Sequence, residues 1–287
     1  MKDVWYYDAL CCPNCHGDIE ISKSISCKQC GYKSKSDKDL RPTHKVSKAF
    51  MLEYDPGFNP EKMLNNISMQ RPVNTYDGPN AQRNSSEFMT EISNRVLKGG
   101  KVLDLGCGTR DQFVPLNYLG YSYVGVDYTS ENADFLADAH CLPFIEETFH
   151  CVLSYAVLEH LSNPFMAITE IERVLKPGGI FIGSVSFGEP FHSSYFHHSS
   201  WGLLSLVSTT KSLQVSKMWS SMGSLRALSR LGRYSKVIKK ALAILDLMNR
   251  KLPILTPIKM RWPAKLKEIE ELNDAGSMCF VIQKVSK

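Results

Sequence analysis

Between residues 100 and 185 the chain alternates short apolar runs with glycine-marked or polar breaks. Val102-Leu-Asp-Leu105 runs into Gly106-Cys-Gly108, and Tyr123-Val-Gly-Val126 stops on Asp127. Val152-Leu-Ser-Tyr-Ala-Val157 leads to Leu158-Glu-His160, and Ile180-Phe-Ile-Gly-Ser-Val185 follows Pro177-Gly-Gly179. Short runs that are apolar throughout are how strands buried on both faces of a parallel sheet read. Ahead of them, Asn84–Leu97 repeats Phe88, Ile92 and Val96 at helical spacing, with Ser85 placed to cap the helix and Lys98-Gly-Gly100 to close it. Only ten residues separate Asp127 from Asp138, too few for a crossover helix and a strand, so a loop or single turn is expected there. Leu225, Leu228, Leu231, Ile238, Leu242 and Leu245 again recur at helical spacing and predict a long helical insertion. Residues 33–60 are polar and proline-punctuated, as a linker is.

The glycine turn carries the first chemical signal. Gly106 and Gly108 let the backbone approach a ligand closely at the start of the following helix. A dinucleotide fingerprint would place a third glycine three residues on, and Asp111 stands there instead. Asp104 and Asp111 would repel a pyrophosphate but welcome an ammonium group. The turn therefore suits a cofactor with a nucleoside at one end and a cationic amino acid at the other. Asp127, about 20 residues on, suits a bidentate hold on the ribose hydroxyls. A buried strand and turn of some other α/β fold would explain 102–109 alone, but not the ordered series of motifs that follows.

Over roughly residues 85–185, and again near 275–284, the chain resembles the class I S-adenosylmethionine-dependent methyltransferases of the type 11 group. The resemblance implies a Rossmann-like, doubly wound α/β fold with a seven-stranded sheet. It assigns Asp104, Gly106, Cys107 and Gly108 to the cofactor's methionine end, and Asp127 with Tyr128 to its ribose. Asp138 and Ala139, in Asp138-Ala-His-Cys-Leu-Pro-Phe144, fall on the adenine segment, and Ser154 with Tyr155 on the end of the fourth strand. Glu170–Gly179 looks like the helix and turn before the fifth strand, and Ala275–Lys284 like the last, antiparallel strand. Arg110 stands where many members carry glycine, and His150 where an aspartate is usual, which puts a structural hydrogen bond in question.

Composition adds a second module. Cys12-Pro-Asn-Cys15 and Cys27-Lys-Gln-Cys30 are two Cys-x-x-Cys pairs with eleven residues between them. That spacing suits a closed tetrahedral zinc site of structural type, in a segment with too little apolar content to fold unaided. The segment is similar to the small zinc ribbons beside some methyltransferases, including ribosomal RNA guanine methyltransferases. The expected organisation is a zinc-ribbon-like module at 1–44, a linker and flap at 45–84 containing Arg71, Tyr76 and Asp77, and a methyltransferase domain at 85–287 with a basic helical insertion at about 200–265. Cys107, Cys141, Cys151 and Cys279 read as small packing residues.

Charge bears on partners. The net +5 conceals fourteen Lys and Arg against the single acid Asp246 between Lys211 and Lys267, so the remainder of the chain sums to −8. A basic helical region suits a cap helix with a solvated face, an anionic membrane surface or RNA. The chain has no segment of about 20 uncharged apolar residues, and Met1–Asp8 lacks a signal peptide's apolar run. A reducing cytoplasm is therefore expected, with peripheral contact at the inner face of a membrane.

Methyl transfer from a sulfonium is an in-line displacement that needs alignment, and a base only for hydroxyl or protonated amine acceptors. His160 and His192 are the candidate bases, each with a packing role as the alternative, and Glu159 reads as structural or acceptor-orienting. Phe187–His198, rich in His and aromatic residues, follows the fifth strand, where a doubly wound sheet meets its ligands. The expected enzyme transfers methyl to O or N of a small or lipid-linked acceptor, such as a sugar intermediate of surface-polysaccharide synthesis, the last implied by the resemblance of Phe191-His192 and Gly202-Leu203 to a pattern in type 11 methyltransferases of sugar and polysaccharide pathways. An RNA methyltransferase is the alternative, although no Asn-Pro-Pro-Tyr-type motif for a flipped base is present. A non-catalytic binding module is a third class, disfavoured by the intact Gly106, Gly108, Asp127 and Asp138.

Overall fold

The computed structural model describes residues 4–43, 56–81, 83–188, 193–223, 235–251, 272 and 275–285. A two-stranded ribbon, β1 (Glu20–Ile21) and β2 (Ile25–Ser26), precedes a larger sheet of β3 (Lys101–Leu105), β4 (Ser122–Asp127), β5 (Phe135–Leu136), β6 (Phe149–Tyr155), β7 (Leu175–Ser186), β8 (Leu213–Gly223) and β9 (Ala275–Lys284). These seven strands run in the order β5-β4-β3-β6-β7-β9-β8. The first five are mutually parallel, while β9 slots antiparallel between β7 and β8. The chain reverses direction between β4 and β6, so the carboxyl ends of β3, β4 and β6 frame one crevice. This is the Rossmann-like, seven-stranded sheet that the resemblance implies, with the final antiparallel strand where the resemblance places it.

Helices α1 (Pro60–Leu64), α2 (Arg83–Arg95), α3 (Phe113–Tyr118), α4 (Pro164–Val174), α5 (Ser200–Ser208) and α6 (Lys236–Lys251) accompany the sheet. Alternate residues of each strand go to opposite faces. Val102, Leu153, Ile180 and Ile182 pack with Phe88, Met89 and Ile92 of α2. Leu103, Leu105, Val124 and Phe181 pack on the other side with Ile168 and Ile171 of α4. Asn163 caps α4 by accepting from the Met166 amide at 3.2 Å, with Pro164 at the first helical position. Ser85 is no cap: α2 begins at Arg83, and the Ser85 hydroxyl donates to Gln112 Oε1 at 2.9 Å.

Between β4 and β5 there is no helix, as the ten-residue spacing requires, and β5 itself is only two residues long. The outer edge of β5 is covered by the N-terminal module. Leu136 N–H donates to the Lys38 carbonyl and Leu40 N–H to the Leu136 carbonyl, both at 2.8 Å. A second clasp forms beyond β5, where Cys11 N–H donates to the Pro143 carbonyl at 3.0 Å and Ile145 N–H to the Ala9 carbonyl at 2.8 Å. Leu10, Ile25, Tyr32 and Leu40 of the module share one apolar cluster with Val124, Phe135 and Phe144 of the sheet. The module thus protects a sheet edge that would otherwise present unpaired backbone groups.

His150 answers the question raised by the missing aspartate. Its Nδ1 accepts the Lys101 amide at 3.0 Å. Burial, Lys176 and Lys101 hold the imidazole below its usual pKa, which preserves the lone pair this bond needs. Within the stretch expected as a basic helical insertion, Leu213–Gly223 is strand β8 and Lys236–Lys251 is α6. Leu225, Leu228 and Leu231 lie outside the described residues. Arg71 and Tyr76 are tied down locally: Arg71 forms a two-point ion pair with Glu87 of α2, and the Tyr76 hydroxyl donates to the Pro79 carbonyl at 2.7 Å.

Candidate active site and cysteine cluster

At the carboxyl end of β3 the chain turns sharply. Gly106 and Gly108 have φ of +73° and +50°, and Arg110 follows at +63°. A Cβ on Gly106 would lie 2.4 Å from Val157 Cγ2, whereas one on Gly108 would meet nothing within 4 Å. Gly106 is thus required by packing, and Gly108 borders open space where a ligand can lie against the backbone. Both Gly106 N–H and Cys107 N–H donate to the Val126 carbonyl, which ties the turn to β4. Burial pushes the Cys107 thiol up to about 12, so it packs as a neutral group. Arg110 compensates its left-handed backbone with an ion pair to Asp134 Oδ1 at 2.9 Å and stacking on Phe113 and Tyr123.

Asp104 lies beneath this turn and is buried. Burial pushes its carboxyl up to about 7, against a hydrogen bond donated by the Tyr123 hydroxyl at 2.8 Å. Asp127 is the opposite case. Burial would raise its pKa, but amides outweigh it and hold the carboxyl below its usual range. Thr129 N–H and Ser130 N–H donate to Oδ1 at 2.9 Å each, and Gly108 N–H donates to Oδ2 at 3.1 Å. The Ser130 hydroxyl returns a bond to the Gly108 carbonyl at 2.6 Å. The Thr129 hydroxyl adds a longer bond to Oδ1 at 3.4 Å, while Oδ2, with about two acceptor positions, takes only the Gly108 amide among the described residues and keeps one for a hydroxyl. The bidentate ribose hold expected from sequence would require one amide to move. Tyr128, next in sequence, is 57% exposed and carries the Arg41 guanidinium 5.5 Å from its ring centre.

Asp138 and Ala139 fall just beyond β5. Asp138 is occupied by His140, whose backbone N–H and Nδ1 both reach Asp138 Oδ1, at 2.9 and 2.6 Å. Burial opposes the ionised form of Asp138, yet His140 holds its pKa below the usual value. Because His140 Nε2 accepts the Asn163 amide at 3.2 Å, its proton sits on Nδ1. The Asp-x-His spacing was a readable signal for this pair, and sequence reasoning passed over His140. Glu170 and Arg173 brace the same segment, with Leu142 N–H on Glu170 Oε2 at 2.8 Å and Arg173 on the Leu142 and Phe144 carbonyls. Ser154 is fully buried at the end of β6, its hydroxyl lacking a hydrogen-bond partner among the described residues, while Tyr155 is exposed.

On the far side, the single 3-10 turn Leu158–His160 meets the chain that follows β7. The Glu159 carbonyl accepts from Tyr195 N–H and Phe196 N–H, and Glu159 Oε1 accepts from Ser186 N–H at 3.1 Å. Glu159 is therefore a structural clamp that folds 193–199 back over the strand ends. His160 is half-buried, with Nδ1 3.2 Å from the Ser193 carbonyl. Against a carbonyl oxygen the only role open to Nδ1 is donor. His192 lies outside the described residues. His198, which sequence reasoning did not single out, is buried, held below its usual pKa by burial, and its Nε2 has no hydrogen-bond partner among the described residues.

The cysteines converge as their spacing predicts. The Sγ atoms of Cys12, Cys15, Cys27 and Cys30 all lie within 4.8 Å of one another, with Cys12–Cys30 at 3.5 Å and Cys15–Cys27 at 3.7 Å. Thiolates about 2.3 Å from a tetrahedral zinc stand about 3.8 Å apart, so the set fits that ion and is far too open for disulfides. Two similar knuckles present the sulfurs. Cys12 N–H donates to the Gly17 carbonyl and Cys27 N–H to the Tyr32 carbonyl, each at 2.9 Å. The left-handed residue is Gly31 (φ +75°) in one knuckle and His16 (φ +58°) in the other. Cys11 stands apart from the cluster.

The strand order and the glycine turn are those of a Rossmann-like methyltransferase fold. Residues 103–183 match the family model described as the type 11 methyltransferase domain. Among curated proteins, the chain is 36% identical over 107 residues to the uncharacterized protein MJ1252 of Methanocaldococcus jannaschii, a match covering 33% of this chain and 41% of that protein. It is 30% identical over 119 residues to the ubiquinone biosynthesis O-methyltransferase of Cereibacter sphaeroides, covering 36% and 48% respectively. The chain thus spans less than half the length of these relatives. Among solved structures it is similar to the YcgJ protein of Bacillus subtilis, with 18% identity, coverage of 72% and 100%, and a TM-score of 0.43.

Proposed function

We propose that the chain is an S-adenosylmethionine-dependent methyltransferase acting on O or N of a small or lipid-linked acceptor, with a structural zinc in the four-cysteine cluster. The observation that carries the cofactor reading is the linkage of Gly108 N–H to Asp127 Oδ2, which sets the glycine turn and the ribose acid as one rim around open space. Bound cofactor supplies an activated methyl group on a sulfonium. The protein's part is to fix the ammonium end over Asp104, the ribose at Asp127 and the adenine beside Asp138–Ala139, with Cys107, Tyr128, Ser154 and Tyr155 lining the path. His160, in the turn after β6 and tied to the Ser193 carbonyl, is the first candidate to take a proton from an acceptor hydroxyl. His192 is the second base candidate.

A saccharide acceptor, such as a sugar intermediate of surface-polysaccharide synthesis, suits the exposed aromatic side chains of Tyr195 and Phe196, whose amides bond to Glu159 next to His160. A cytoplasmic enzyme touching the inner membrane face through 211–267 suits a lipid-linked form of it. No helix among the described residues is long and apolar enough to cross a membrane. Helix α6, however, carries exposed Val237, Ile244, Leu245 and Met248 on one arc and Lys236, Lys239 and Lys240 off it. Its less exposed residues, Lys239, Leu242 and Ala243, lie opposite that arc. A cap helix would bury its apolar arc; the inverted phase with basic flanks suits an anionic bilayer surface. RNA has no use for exposed aliphatic residues, which is why it remains the alternative.

Two experiments test this reading. Labelled methyl transferred from the cofactor into fractionated cell extract should appear in the small-molecule or lipid-linked fraction; label in RNA would overturn the acceptor class. Flotation of the full chain with phosphatidylglycerol vesicles should show binding that Ile244→Glu with Met248→Glu reduces at least about tenfold. Equal binding by wild type and variant would remove α6 from the contact.

A further inference from the structure

The loop that presents Asp127 and Tyr128 is not backed by a crossover helix, because β4 reaches β5 through Tyr128–Asp134 alone. Its outer support comes instead from the cysteine module, along an unbroken series of contacts. Tyr32 directly follows the second knuckle, and its carbonyl accepts the Cys27 amide at 2.9 Å. The Tyr32 side chain is buried, and its hydroxyl faces two carbonyls, Asp39 at 2.9 Å and Arg41 at 3.1 Å. The backbone on either side of Asp39 is fixed by the Leu136 pairings described above. The Asp39 carboxylate then grips Arg41 through Nε and Nη2, both at 2.9 Å, so the guanidinium plane is set before it meets anything else. Nη1, the remaining edge, donates to the Tyr128 carbonyl at 3.1 Å, and the plane lies over the Tyr128 ring.

We propose that Arg41 is a positioning residue for the nucleoside end of the cofactor: it holds Tyr128, and through it the Thr129–Ser130 turn whose amides orient Asp127. The cysteine module is therefore part of the cofactor site rather than an attached accessory, and rests on the cofactor reading given above. A fork-shaped, delocalised cation is required, because Asp39 and Tyr128 are engaged on different edges at once. A lysine could satisfy Asp39 or the Tyr128 carbonyl but not both in the same geometry.

Titration calorimetry of the zinc-loaded full chain with S-adenosylhomocysteine decides this, with the thermal midpoint of the ligand-free protein measured beside it. Arg41→Ala should weaken binding about tenfold, Arg41→Lys by an intermediate factor, and Tyr128→Ala combined with Arg41→Ala should add little beyond the worse single variant. In turnover, the KM for S-adenosylmethionine should rise with kcat unchanged. Removing the metal with a chelator should weaken binding to wild type more than to Arg41→Ala. If Arg41→Ala does not fold, Arg41→Lys with the same measurements carries the test. Wild-type affinity in a folded Arg41 variant, with only the midpoint lowered, would show a purely structural link and overturn the proposal. No binding by wild type would instead overturn the cofactor reading itself.

Discussion

Two aspartates on neighbouring strands, Asp104 of β3 and Asp127 of β4, are treated oppositely by this fold, and the difference is legible in their donors. Asp127 collects three amides and is held ionised, whereas Asp104 has one phenolic donor in a buried setting and is pushed up to about 7. A ligand ammonium group favours the carboxylate form of Asp104, so binding draws its pKa down and releases a proton. Affinity for S-adenosylhomocysteine should therefore fall as pH drops below about 7, and Asp104→Asn should flatten the dependence. The sign for stability is reversed. The folded ligand-free protein binds the Asp104 proton more tightly than an unfolded chain, whose carboxyl lies near 4. That contribution is present at low pH and is lost as pH rises from about 4 through about 7. Calorimetric titrations and thermal midpoints between pH 5.5 and 8.5, on wild type and Asp104→Asn, check both signs.

At the scale of elements, what the sequence revealed depended on how each element is stabilised. Strands β3, β4, β6 and β7 are buried on both faces, so their apolar runs announce them. Strand β8 does not read this way: Leu-Gln-Val-Ser-Lys-Met-Trp-Ser-Ser-Met-Gly lies at the sheet edge, and Lys217 is absorbed by an ion pair with Glu91. Its one cation counts toward a basic helical stretch because nothing local distinguishes a paired lysine from a solvated one. Lys38–Leu40 looked like linker for a related reason. Its pairing with β5 uses backbone groups, which leave no trace in side-chain pattern. The zinc reading, by contrast, rested on spacing and is testable at this scale. Metal analysis should find one zinc per chain, lost in Cys27→Ser with Cys30→Ser. Because the module shares a core with β5 and its flanks, that variant should also melt roughly 5–10 °C lower.

For the whole molecule, the sequence carried the glycine turn and the acid after β4 and left the packing of the chain after β7 open. Gly106 and Gly108 hold positive φ and Asp127 accepts three amides, demands that only a few residue types satisfy, so a single chain shows them. The Arg41–Tyr128 contact joins positions 87 residues apart, and no periodicity reports it. The buried His198 and the clamp by Glu159 likewise arise only when 193–199 folds over the strand ends. The charge division follows the same line: the acidic body contains the glycine turn and the strand ends around it, and the basic stretch 211–267 contributes β8 to the sheet and α6 to the surface. The most direct measurement is calorimetric titration of the full chain at pH 8 with S-adenosylhomocysteine and, separately, with NAD. Saturable binding of the first at one site per chain, lost by at least about tenfold in Asp127→Ala, and no binding of the second, is the expected result. Absence of S-adenosylhomocysteine binding, or preferential binding of the dinucleotide, would contradict it.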